Sequence, residues 1–153
     1  MSTARRSPRA GAGFTLIELI LVIGITAALA VYALPKVVDS TLWRLRSFGD
    51  DLMARHQAML RLALQQRRPI NAVITASGVS WAYASGTAID SLPCPATESP
   101  CITTGTGTVS FNSGNSGAVS TSTGAALTVT VASGSYSQAY RIESDTGLIS
   151  TSP

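Results

Sequence analysis

The chain has 153 residues, enough for one domain, with 12% charged residues and a mean hydropathy of +0.27; that is apolar for a soluble protein and directs attention to a membrane segment. One histidine and two cysteines exclude a multi-histidine metal centre and leave no zinc site of ordinary composition. The net charge of +3 comes from Arg5, Arg6 and Arg9: eleven Lys/Arg less those three leaves eight, against eight Asp/Glu, so the remainder is neutral and offers little to nucleic acid.

Residues 14–34 read FTLIELILVIGITAALAVYAL, with Glu18 as the one charge. At 1.5 Å per residue a helix of this length reaches roughly 31 Å, enough to cross a hydrocarbon core. The three arginines before it predict a cytoplasmic N-terminus, a single pass through the inner membrane, and a periplasmic chain from Lys36 onward. An ordinary secretory signal peptide competes on layout, with Ala28-Leu29-Ala30 as its cleavage site. Two features oppose it. A carboxylate early in the apolar run is costly in a membrane, and the helical pattern continues past the cleavage site.

Gly13-Phe14-Thr15-Leu16-Ile17-Glu18, behind a short basic leader and ahead of an apolar helix, resembles the type IV prepilin signature. Type IV pilins, minor pilins and type II secretion pseudopilins share that signature, and the match covers roughly residues 5–35, including Pro35. The resemblance implies that residues 1–13 are a leader removed by a membrane aspartyl prepilin peptidase, between Gly13 and Phe14. It implies N-methylation of the new amino terminus at Phe14 by the same enzyme. It also implies that Glu18 pairs with the cationic N-terminus of a neighbouring subunit during assembly. The pairing is physically sensible, because two charges that are each costly in lipid offset one another. Gly13 suits a scissile bond because it carries no side chain to block approach.

Beyond Pro35 the pattern stays helical. Val38, Leu45, Leu52 and Met59 fall seven apart, Phe48 and Leu62 add a second row, and Arg55 interrupts it. A proline inside a helix removes a donor and predicts a kink, so one helix is expected over 14–67, about 80 Å long. Its segments are a membrane half, 14–34, and an amphipathic half, 35–68, with Pro69 marking the end. The arginines of this stretch read as a solvated face, and His56 as a surface or packing residue.

From 69 to 153 the chain reads as a β-rich periplasmic body. Strands are predicted at 70–75, 79–83, 108–111, 126–132, 138–142 and 148–150. Residues 103–124 contain eighteen Ser, Thr, Gly or Asn out of twenty-two, the composition of a loop or a weakly paired hairpin, and are expected to form a surface insertion. The fold class expected is α+β: a long N-terminal helix, its first half in the membrane, packed on a small, mainly antiparallel sheet, as in type IV pilins.

Cys94 and Cys101 lie seven apart in a segment expected to be oxidising, which predicts a disulfide contributing about 2–3 kcal/mol by chain entropy. Asp145-Thr146-Gly147 spells the aspartic-protease tripeptide, but only once, and reads as a hairpin turn between strands. No catalytic constellation or cofactor motif is present, and the chain reads as a non-enzyme. The function expected is that of a minor pilin or pseudopilin. Its partners are the prepilin peptidase, other pilin subunits and inner-membrane lipid. The short β body resembles the subgroup containing fimbrial T and secretion H proteins, and mannose-sensitive haemagglutinin pilins. The alternative is a DNA-binding minor pilin of an uptake system. Arg141 is the last basic residue, and phosphate binding needs clustered positive charge, which weighs against it.

Overall fold

The computed structural model describes residues 14–37 and 40–152, with side chains described for 14–31 and 40–152. Arg5, Arg6, Arg9, Gly13, Val38 and Asp39 lie outside the described residues, as do the side chains of Pro35 and Lys36. The chain divides into a unit ending at Asp39 and a unit from Ser40 to Pro153.

The first unit holds α1 (Leu16–Val37). Thr15 starts it: its hydroxyl oxygen accepts a hydrogen bond from the Glu18 N–H at 3.3 Å, and its carbonyl accepts from Leu19 at 3.2 Å. Thr-x-x-Glu is the sequence pattern of a capping box. Thr26 turns its hydroxyl back onto the carbonyls of Val22 (2.9 Å) and Ile23 (3.0 Å), so its polar group is satisfied within the helix. Every described side chain from Phe14 to Val31 is exposed.

Two expectations are corrected here. The helix over 14–67 is two helices, α1 and α2 (Ser40–Gln66). Pro35 deletes one ladder hydrogen bond, and α1 ends two residues later. The membrane-spanning half is not found either: among the described residues no helix is long and apolar enough to cross a membrane.

The second unit is built on α2. Its buried stripe is Leu45, Phe48, Gly49, Leu52, His56, Leu60 and Ala63, at the three- and four-residue intervals of one helix face. The helix ends with Arg67 in the left-handed region (φ 52°); Arg67 N–H bonds Leu64 O and Arg68 N–H bonds Ala63 O, which satisfies the last carbonyls. Pro69 follows.

Nine strands follow: β1 (Ile70–Thr75), β2 (Gly78–Tyr83), β3 (Ala88–Pro93), β4 (Ile102–Thr104), β5 (Gly107–Ser113), β6 (Ala118–Thr121), β7 (Leu127–Ser133), β8 (Tyr136–Ile142) and β9 (Ile149–Ser152). They form two antiparallel sheets, not one. The first runs β3-β2-β1-β5-β6 and the second β4-β7-β8-β9. In the first, Trp81, Ala72 and Val109 lie on one rung, with the small Ala72 between the larger pair, and all three are buried. In the second, Val129 pairs with Tyr140, and Ile142 pairs with both Leu127 and Ile149. Strands from both sheets contact α2, and the buried residues of all three form one hydrophobic cluster.

Within residues 103–124, the strand expected at 108–111 is β5, and β6 follows it. β5 is hydrogen-bonded between β1 and β6 and buries Val109, Phe111 and Asn112. Asn112 links distant parts: its amide donates to Ala63 O of α2 at 3.2 Å, and its side-chain oxygen accepts from Gly117 N–H at 2.8 Å. Gly49 has a packing role. A Cβ there would strike the Tyr140 hydroxyl, so the glycine lets α2 and β8 approach closely.

His56 lies in the core, fully buried, with its ring edge-on to Phe111 at 4.8 Å. Its Nε2–H donates to the carbonyl of Gly147 at 3.1 Å, and its Nδ1 has no partner. Gly147 belongs to the Asp-Thr-Gly connection between β8 and β9, a turn as expected, with φ +68°. Burial pushes the His56 pKa down to about 4 from 6.5, although the Gly147 bond acts in the opposite sense. Because the folded pKa lies below the unfolded one, the unfolded chain takes up the proton first. Stability is therefore full above pH 6.5 and falls as pH drops towards 4, by about 3 kcal/mol in total. Urea unfolding at pH 7 and pH 4 should show a larger acid loss for the parent than for His56→Gln, by about that amount. Equal losses would mean that His56 is not the titrating group.

Candidate functional site

Phe14 and Glu18 belong to the first unit. Phe14 precedes α1 and is 82% exposed, and Glu18 lies in the first helical turn, exposed. A carboxylate there faces the positive end of the helix dipole. Glu18 thus has a local use at the start of α1, beside any use between subunits. The Thr15–Glu18 pattern that reveals this is visible in the sequence and was not part of the sequence reading. Gly13, the other half of the expected cleavage site, is outside the described residues.

The second unit carries a constructed surface feature around the disulfide. Cys94 and Cys101 are bonded, with Cα atoms 5.7 Å apart. Both ends of the loop are tied to the β1–β2 turn: Cys94 N–H donates to Ser77 O at 2.8 Å and Ile102 N–H to Ala76 O at 3.2 Å. Between the cysteines, Ala96–Glu98 forms a single 3-10 turn that presents Glu98. Its carboxylate accepts from the hydroxyls of Ser133 (2.6 Å), at the end of β7, and Thr41 (3.0 Å), at the start of α2. Arg44 donates to Thr97 at 2.8 Å. The Ser133 and Thr41 hydrogen bonds hold the Glu98 carboxyl below the usual carboxylate range. The loop is therefore clamped to α2 and to the second sheet at once.

A cleft of about 500 Å³ opens beside this loop. Trp43, Arg44, Ser47, Phe48 and Asp51 line it from α2, and Leu92, Pro93 and Pro95 from the chain entering the loop. Trp43 is 65% exposed. Arg55 of α2 donates to both oxygens of Asp90 in β3, at 2.9 and 2.8 Å, which explains an arginine within an otherwise apolar row. Sequence reasoning found the two cysteines and missed Trp43, Arg44 and Glu98. The partners of Glu98 lie 57 and 35 residues away, beyond any local pattern.

Among the described residues no group of three or more His, Cys, Asp or Glu converges to hold a metal ion. The cleft is mainly apolar and edged by Pro93 and Pro95, with Arg44 and Asp51 among its lining residues. Comparison with protein-family models, curated proteins and solved structures gives no match to the chain.

The Glu98 clamp makes a prediction. Glu98→Ala should speed amide hydrogen exchange severalfold across residues 95–100 and leave β1, β5 and β7 unchanged. Because the carboxyl is held ionised, acidifying the parent below the ordinary carboxylate range should produce the same loosening. Uniform exchange in variant and parent would show that the disulfide alone holds the loop.

Proposed function

We propose that the chain is a structural subunit, a minor pilin or pseudopilin. A prepilin peptidase cuts it between Gly13 and Phe14, and it assembles through α1 into a type IV pilus or a type II secretion pseudopilus. One observation carries the reading: the Gly-Phe-Thr-Leu-Ile-Glu signature opens a helix whose described side chains are nearly all apolar and all exposed. A helix that is apolar all round needs cover, since large exposed apolar patches mark interaction surfaces. Inner-membrane lipid covers it before assembly, and neighbouring α1 helices cover it afterwards. The Cys94–Cys101 disulfide supports a periplasmic body, because such bonds persist in oxidising compartments.

N-terminal sequencing of the mature protein should begin at Phe14, methylated or not. A start near Val31 would instead mean removal of an ordinary signal peptide and would overturn the reading.

Glu18 separates two physical roles. If its charge pairs with a neighbour's amino terminus, Glu18→Ala and Glu18→Gln should both be processed normally and both fail to co-purify with assembled subunits. The unpaired charge left on the neighbour costs a few kcal/mol in lipid. Glutamine preserves a capping box and alanine does not. Normal assembly of Glu18→Gln with weakened assembly of Glu18→Ala would reduce Glu18 to a helix cap.

A further inference from the structure

We propose that the cleft beside the disulfide loop is a self-association surface, on which a second copy of this chain docks about a two-fold axis. Each copy's Trp43 fills the other's cleft. Three observations point to this occupant.

The first is the pairing of a knob with a hole. Trp43 is 65% exposed and adjoins a cleft of about 500 Å³ lined by Phe48, Leu92, Pro93 and Pro95. Tryptophan supplies the largest apolar contact of any side chain, and buried tryptophans are frequent anchors of interfaces. The prolines and the disulfide clamp make the far wall rigid, so little ordering is needed on docking.

The second is charge. Arg44 and Asp51 are both exposed, line the same cleft and lie seven residues apart, two turns along one helix face. Asp51 takes part in no ion pair among the described residues. When two α2 helices cross antiparallel, each Arg44 meets Asp51 of the other copy. A parallel arrangement sets arginine on arginine and aspartate on aspartate. The charge order therefore selects an isologous contact, in which the same patch is used twice.

The third is the centre of that contact. Ser47 is exposed, lines the cleft and falls between Arg44 and Asp51. Its small side chain lets the two helices approach at the axis. This surface lies on the second unit.

The test uses the full chain in detergent micelles with Ser47→Cys, a position that meets its own counterpart only across a two-fold contact. The native cysteines are bonded to each other, so cross-linking reports on position 47. Under mild oxidation Ser47→Cys should form a covalent dimer, whereas Ser120→Cys, exposed on β6, should not. Adding Trp43→Ala should lower the cross-linked fraction by about tenfold, as loss of an anchor does. Asp51→Arg should lower it similarly, and the reversed pair Arg44→Asp with Asp51→Arg should restore it to within about twofold. Arg44 also bonds Thr97, so recovery in the reversed pair reads the contact between copies and not the loop. A monomeric Ser47→Cys, cross-linking that ignores Trp43, or no recovery in the reversed pair would overturn the proposal and assign the cleft to a different partner.

Discussion

Burial of the α2 stripe holds the second unit together. Each sheet has one apolar face, and the two faces meet water unless something covers them. Leu45, Phe48, Leu52, Leu60 and Ala63 on α2, with residues of strands from both sheets, form a single buried cluster. Burying a large aliphatic or aromatic side chain contributes about 1.5–3 kcal/mol, and the cluster contains Trp81, Phe111, Ile70, Ile102 and Ile142 with almost no exposed surface. Two polar devices fix how the helix sits. Asn112 ties its last turn to β5, and His56 ties its middle to the β8–β9 connection. Gly49 admits Tyr140 where a larger residue would hold the helix off.

α1 solves a different problem. Among the described side chains of its apolar run, the Thr26 hydroxyl is turned back onto carbonyls of the preceding turn. What remains is an apolar surface with nothing of its own unit to cover it.

The disulfide belongs to placement as much as to stability. It closes a loop of a few residues, for which the entropic gain is modest. Its larger effect is geometric: it holds Glu98 where hydroxyls from α2 and β7 can reach it, and holds Pro93 and Pro95 against the cleft. Oxidation chemistry, a helix start and a strand end are joined there through one carboxylate.

Several elements were legible in the sequence because their signals are local. The helical spacing of Leu45, Phe48 and Leu52, the alternation of Val79-Ser80-Trp81, the Cys94–Cys101 spacing and the Asp-Thr-Gly turn each depend on neighbours within a few residues. β3, β4 and β6 gave no such signal, being short or poorly apolar. The strand expected at 108–111 was legible despite the low apolar content of 103–124, because Val109 and Phe111 alternate; β5 runs longer and also buries Asn112, which the pattern does not show. What the tertiary structure decided is non-local. Two sheets instead of one, the interruption between α1 and α2, the burial of His56 and the reach of Glu98 across the fold depend on which distant surfaces meet. Periodicity specifies which face of an element is apolar. Packing alone selects the face that covers it.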